Sequence, residues 1–208
     1  FQNPWALAEW LIENRISIVH FVPSMFGEFL RAMRDEDYRF EGVRWIAFAG
    51  EAIPAPFVRQ WIDRYGMGTR LINLYGPTEA SVTVSHYLVE ARPDEDAMTI
   101  PIGTPHSSDV HMLVVDENGD PVAKGELGEL CLGGVHLAVG YYKSPELTEK
   151  AFVDNRHAHI PGSRLYRTGD LAHECEHGGF EFHGRMDSQV KVRGYRIELG
   201  EIEAGLMS

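Results

Sequence analysis

Along residues 3 to about 90, apolar positions alternate between helical and strand spacing. Asn3-Pro4 places a capping side chain before a proline at the first helical position. Trp5, Leu7, Ala8, Leu11 and Ile12 then recur at helical intervals. "ISIVHFV" (16–22) is a short β-branched run, and Pro23-Ser24 opens the helical pattern "MFGEFLRAM". "VRWIAFAG" (43–50) predicts a second strand, Pro54 to Tyr65 a helix, and "RLINLYG" (70–76) a third strand. Short apolar strands separated by helices predict a parallel sheet buried on both faces. Ligands of such sheets gather beyond the carboxyl ends of the strands. Those ends here read "HFVPS", "AFAGEA" and "NLYGPTE".

Beyond about residue 100 the pattern turns mostly β. "VHMLVVDENGDPV" reads as a strand followed by a turn, and "GELGELCLGG" and "GGFEFHGR" add strand-and-turn segments. One helix is expected at residues 145–152. "GRMDSQVKVRGYRIELGEIE" (184–203) starts at Gly-Arg, continues as an alternating strand, turns at Gly194 and enters a helix near Glu198. The expected class is α/β: parallel-sheet αβ layers, a flavodoxin-like half, followed by a small distorted β-barrel-like region. The expected division is 1–105 (α/β), 106–186 (β-rich) and 187–208 (a linker and the start of a further domain).

Composition narrows the function. The 208 residues have 44% hydrophobic content, enough for a packed core. The net charge of −12 disfavours a nucleic-acid partner, which needs a positive face for phosphates. Two cysteines do not make a disulfide framework, so a reduced, cytoplasmic setting is expected. No apolar run of about 18 residues is present, so no membrane partner is expected. A secretory leader is not visible at the start either. Because the sequence starts with Phe1 and stops at Ser208 inside a helical pattern, a segment of a longer protein is expected.

Four segments carry the chemistry: "NLYGPTE" (73–79), "GELCLGGVHLAVGYY" (128–142), "YRTGDL" (166–171) and residues 184–203. "HFVPSM" (20–25), "AGEAIP" (49–54) and "IPIGTP" (100–105) accompany them. Their order and spacing resemble the adenylate-forming superfamily, and within it the adenylation domains of nonribosomal peptide synthetases. The resemblance runs over essentially the whole chain. It implies activation of a carboxylic acid with magnesium-ATP, formation of an acyl-AMP, and transfer to a phosphopantetheine thiol on a carrier domain. Attack at an α-phosphate concentrates charge that metal ions and fixed donors must stabilise.

The resemblance also implies residue roles. Tyr75 stacks on adenine, Asn73 faces the base edge, and Gly76-Pro77 makes the turn. Thr78 gives its hydroxyl to the α-phosphate, and Glu79 holds magnesium, a hard cation that takes oxygen ligands. Gly50, Glu51 and Ala52 line the adenine side. Asp170 accepts from the ribose hydroxyls, with Arg185 and Phe182 beside the nucleotide. Asp187 is the hinge, and Lys191 and Gly194 lie on the loop of the thioester-forming step. The implied substrate pocket includes His20, Ala47, Ala49, Leu74, Val82 and Thr83. His20, Leu74 and Val82 resemble serine-activating domains, whereas Thr83 stands where those have an acid; a small or polar amino acid is expected. The implied partners are that amino acid and the peptidyl carrier and condensation domains of the same synthetase.

Val139 departs from the family, which usually has Arg in "AVGY" (138–141). The isolated piece is expected to be inactive, because it lacks the upstream phosphate loop, the Asp that holds the amino group, and the C-terminal catalytic Lys. "HECEH" (173–177) and His183 look like metal ligands, but on a hairpin of alternating faces they are not expected to converge on an ion. Two alternatives stand beside the main reading. One is an acyl- or aryl-CoA ligase of the same superfamily, and the other is a non-catalytic scaffold remnant. Intact Thr78, Glu79, Asp170 and Arg185 argue against the remnant.

Overall fold

The computed structural model describes residues 3–187, 189–192, 194–198, 202 and 205–206. Its contacts divide the chain into two units. Phe1–Leu74, Tyr87–Ile100 and Val190–Leu199 make the first; Tyr75–His86, Pro101–Gln189 and Gly200–Ser208 make the second.

In the first unit, α1 (Pro4–Glu13) starts where the Asn3 side chain accepts from the Ala6 N–H at 3.0 Å. β1 (Ile18–Phe21), α2 (Pro23–Ala32), β2 (Trp45–Phe48), α3 (Ala55–Tyr65) and β3 (Arg70–Tyr75) follow. β1, β2 and β3 are parallel, with Phe21 opposite Phe48 and Phe48 opposite Asn73. Phe21, Phe48 and Leu71 pack with Ala8 and Leu11 of α1, Phe26 and Phe29 of α2, and Val58 and Trp61 of α3. Burial of each large side chain contributes about 1.5–3 kcal/mol. All three helices share this core, so the sheet is covered on one face. Ile18 and His20 of β1 lie on the other face, exposed in this chain. The register explains it: residues one apart point to opposite faces, and the helices occupy only that of Phe21.

β4 (Ser85–Val89) is next in sheet order after β3. Within the second unit its Ser85 and His86 pair antiparallel with β5 (Thr104–Pro105). β6 (Val110–Val115), β7 (Gly128–Gly134), β9 (Arg164–Glu174) and β10 (Phe180–Arg185) form an antiparallel sheet in the order β10-β9-β7-β6. An isolated antiparallel bridge links Gly103 to Phe180 of β10. The "DENGD" turn forms as expected: the Asp116 carboxylate accepts from the Asn118 and Asp120 N–H groups at 2.9 and 2.8 Å. β7 is buried on both faces, with Leu130 and Leu132 in one apolar cluster and Cys131 in another. α4 (Pro145–Ala151) ends one residue before its expected limit, because Phe152 begins β8 (Phe152–Asp154), which pairs with β9. β11 (Gln189–Val192) and β12 (Tyr195–Glu198) form a separate ribbon around the expected turn. The helix expected beyond Glu198 falls mostly outside the described residues. Among the described residues no helix is long and apolar enough to cross a membrane.

One geometric expectation is corrected. His173 and His183 of the β9–β10 hairpin do converge. His173 sits directly opposite Glu181, and the rings of His173 and His183 lie 4.9 Å apart, centroid to centroid. Alternation separates neighbours; it gathers these.

Candidate active site

The second unit starts at the end of β3. Tyr75 leads through Gly76-Pro77 into a single 3-10 turn, Thr78–Ala80. The chain then doubles back: the Val82 N–H donates to the Pro77 carbonyl at 3.2 Å and the Val84 N–H to the Tyr75 carbonyl at 2.7 Å. Position 76 has no room for a side chain. A Cβ there would lie 2.7 Å from the Val82 carbonyl oxygen and 2.9 Å from the Val84 nitrogen. The loop carries backbone strain at its tip, where Val82 has φ +77, a region costly to a β-branched residue. Val82 is 67% exposed, Thr78 is exposed and Thr83 half-buried, so fold packing does not fix the side chains at 78 and 82.

Tyr75 reaches the "YRTGDL" strand. Its hydroxyl donates to Oδ2 of Asp170 at 2.5 Å, joining motifs 95 residues apart. Arg185 donates to Oδ1 of the same carboxylate. The guanidinium also forks onto Asp187, Nε to Oδ1 at 2.7 Å and Nη2 to Oδ2 at 2.6 Å. Asp170 is 4% exposed, and such a buried charge requires these partners. Thr168 supports the corner: its hydroxyl accepts from the Asp170 N–H at 2.9 Å and donates to the Leu130 carbonyl. Burial, and then the Asp170 charge, hold the Tyr75 phenol well above its usual range. Hydrogen bonds to Asp187, then the Asp170 charge, raise the Arg185 guanidinium further. Gly169, at φ +70, leaves the guanidinium its path; a Cβ there would lie 2.7 Å from Nη2. Phe182, one strand over, is half-buried against the apolar cluster that holds Tyr75. Oδ1 of Asp187 also accepts the Gln189 N–H at 3.1 Å, so one carboxylate grips both Arg185 and the chain leaving the unit.

Glu79 is 7% exposed, and Tyr141 donates its hydroxyl to Oε1 at 2.6 Å. The Glu79 carbonyl accepts from the Ala138 N–H at 2.8 Å, so "AVGYY" packs on the 3-10 turn. A carboxylate held this way offers the oxygen donors that a hard divalent cation takes.

In the first unit, the register sets His20 opposite Ala47 and Ala47 opposite Ile72. Ala49 and Leu74, two residues further along, share that helix-free face. Asn73 does not: it is buried on the helix side, with its amide donating to the Ile100 carbonyl at 3.3 Å. Gly50 and Ala52 flank Glu51 just past β2. The Glu51 carboxylate accepts from the Ser24 N–H at 2.9 Å, the Ser24 hydroxyl at 3.1 Å and the Gly194 N–H at 2.8 Å. Lys191, on β11, is exposed.

The sequence singled out neither Tyr141 nor Glu129 nor Ser24. Glu129, 6% exposed, accepts from the Gly169 N–H at 3.0 Å and pairs with Arg167, which steadies "YRTGDL". Its signal is an acidic residue in an otherwise buried strand, and such a group requires partners. For Tyr141 the signal is an aromatic hydroxyl beside glycine in a motif already conspicuous.

The pattern of the AMP-binding enzyme family matches residues 1–142. The chain belongs to the AMP-binding enzymes. This AMP-binding chain is 41% identical over 209 residues to zwittermicin A synthase ZmaJ of Bacillus cereus, covering 99% of itself and 39% of that protein. It is 41% identical over 204 residues to tyrocidine synthase 1 of Brevibacillus parabrevis, covering 98% of itself and 17% of that protein. It thus spans well under half the length of each. The solved structure of holo-PA1221, a nonribosomal peptide synthetase protein with adenylation and PCP domains, superposes with a TM-score of 0.86 at 30% identity. That match covers 98% of this chain and 34% of that one.

Proposed function

We propose that this AMP-binding chain is part of an amino-acid-activating adenylation domain, which forms aminoacyl-AMP from ATP and loads a phosphopantetheine carrier. The observation that carries it is the Tyr75–Asp170–Arg185–Asp187 network, which joins the turn motif and the "GDL" strand. Asp170, its plane fixed by Tyr75 and Arg185, accepts from ribose hydroxyls. Tyr75 and Phe182, with Gly50, Glu51 and Ala52, belong to the nucleotide's surroundings, and Gly76 keeps the turn tight; Asn73, buried on the helix side, supports the strand end instead. Thr78, exposed at the start of the 3-10 turn, donates to the α-phosphate. Glu79, oriented by Tyr141, is the residue that would hold magnesium. A bound magnesium ion supplies positive charge against the phosphates.

His20, Ala47, Ala49 and Leu74, with Val82 and Thr83, select a small or polar amino acid. Asp187 is the hinge, and Lys191 and Gly194 serve the thioester step; the Gly194–Glu51 bond supports a role for that loop near "AGEA". Residues 1–105 and 106–186 are parts of one large subdomain, and 187–208 start a small one. The adenylation–PCP architecture of PA1221 supports a carrier partner. A condensation domain, in the cytoplasm, completes the proposed setting.

The test is ATP–pyrophosphate exchange by the longest native protein containing this chain, across all amino acids and a panel of aryl and fatty acids. Exchange with one amino acid is expected. Exchange with aryl or fatty acids alone would reassign the chain to a CoA ligase. No exchange from folded protein would favour a scaffold.

A further inference from the structure

The β9–β10 hairpin carries a cluster that the proposed chemistry does not use. Nδ1 of His173 lies 2.8 Å from Nε2 of His183, with ring centroids 4.9 Å apart. A carboxylate oxygen of Glu181 completes the group, and the three donor atoms all lie within 4.8 Å of one another. Two imidazole nitrogens at this distance face each other across one proton. A divalent ion that takes about 2.0–2.1 Å bonds to nitrogen and 2.0–2.2 Å to oxygen would replace that proton. Opening the pair to such a geometry needs movement of well under an ångström, which exposed His183 readily makes. On the other side of the His173 ring, Nε2 lies 3.9 Å from Sγ of Cys175. An Nε2–H directed at this sulfur leaves the Nδ1 lone pair for the ion, as partners of ligating histidines do.

We propose that His173, His183 and Glu181 form a binding site for one zinc-class divalent transition-metal ion. Two imidazoles and a carboxylate suit zinc, whereas an all-oxygen set would suit magnesium or calcium. The acidic chain, at −12, attracts cations generally, but only this pair of rings gives the site its preference. The ion ties β9 to β10. His173 is three residues from Asp170, and His183 is two residues from Arg185, so the clasp sits beside the network described above. The site stands independently of the adenylation reading.

The test is zinc titration of the full chain in competition with a chromophoric chelator, alongside H183A, E181Q and H159A. His159 is exposed and near His157 but remote in sequence from the hairpin. Wild type and H159A are expected to take one zinc ion per chain. H183A should bind at least roughly tenfold more weakly, as the loss of one of three ligands implies, and E181Q should fall between. Zinc should raise the melting temperature of wild type and not of H183A. Because His183 is exposed, H183A should keep the wild-type circular dichroism and melting point without metal. Equal affinity in wild type and H183A, or a loss that follows H159A instead, would overturn the site.

Discussion

Replacing Tyr75 with Phe removes one oxygen from the second unit and nothing else. The ring keeps its place in the apolar cluster, so the change isolates the 2.5 Å bond to Oδ2 of Asp170. Hydrogen bonds to charged groups contribute about 1.5–3 kcal/mol. Asp170 is 4% exposed and cannot recruit bulk water in exchange, so a cost of about 2–3 kcal/mol is expected. At roughly 2–4 °C per kcal/mol in a chain of this size, the melting point should fall by roughly 4–12 °C. Urea unfolding of wild type, Y75F, D170N and the double variant measures the coupling, expected at about 1–2 kcal/mol. The raised phenol adds a second readout. A group whose folded value lies above its free value stabilises fully below the free value, so this contribution persists to about pH 10 and is lost at higher pH. Absorbance titrations of wild type and Y75F should therefore superimpose through pH 10 while both stay folded. A cost for Y75F below about 0.5 kcal/mol, or additive single changes, would mean that the bond does not hold the two motifs together.

Gly76→Ala should be more damaging than its size suggests, at roughly 3 kcal/mol, because its Cβ meets backbone rather than movable side chains; a urea midpoint near wild type would show that the loop shifts freely. Val82→Gly should leave stability unchanged or raise it by about 1 kcal/mol, since relief at φ +77 offsets the added freedom of the unfolded chain; thermal melting decides the sign. The Cys131 thiol is 2% exposed and pushed up to about 12 by burial, so iodoacetamide at pH 8 should leave it unmodified until denaturant is added. Peptide mass mapping that finds native Cys131 alkylated would refute that burial.

The element order of the first unit is legible because its signals are local. Asn3-Pro4 and Pro23 mark helix starts, and β-branched runs mark the strands between them. The covered face of the sheet was not legible: "ISIVHFV" reads as buried throughout, yet all three helices pack on the face of Phe21. The turn motif and "YRTGDL" each announce themselves. Their junction does not, because 95 residues separate Tyr75 from Asp170 and no spacing rule spans that interval. Asn73 shows a different limit. Its motif suggests a ligand contact, whereas strand alternation sends its amide to Ile100 on the helix side. The hairpin histidines are not legible without the register, since opposition of His173 and Glu181 brings together what alternation alone disperses.

The path of residues 76–84 is held by backbone: Val82 N–H to Pro77, Val84 N–H to Tyr75, and the His106 N–H to the Val84 carbonyl at 3.1 Å. The side chains at 82 and 83 take no part in those three bonds. Substitution at exposed position 82 by residues that keep their N–H therefore changes what the loop displays without altering its course. Diversification there is nearly uncoupled from foldability, whereas Gly76 is locked by backbone on every side. A random library restricted to 82 should return folded proteins at a high rate.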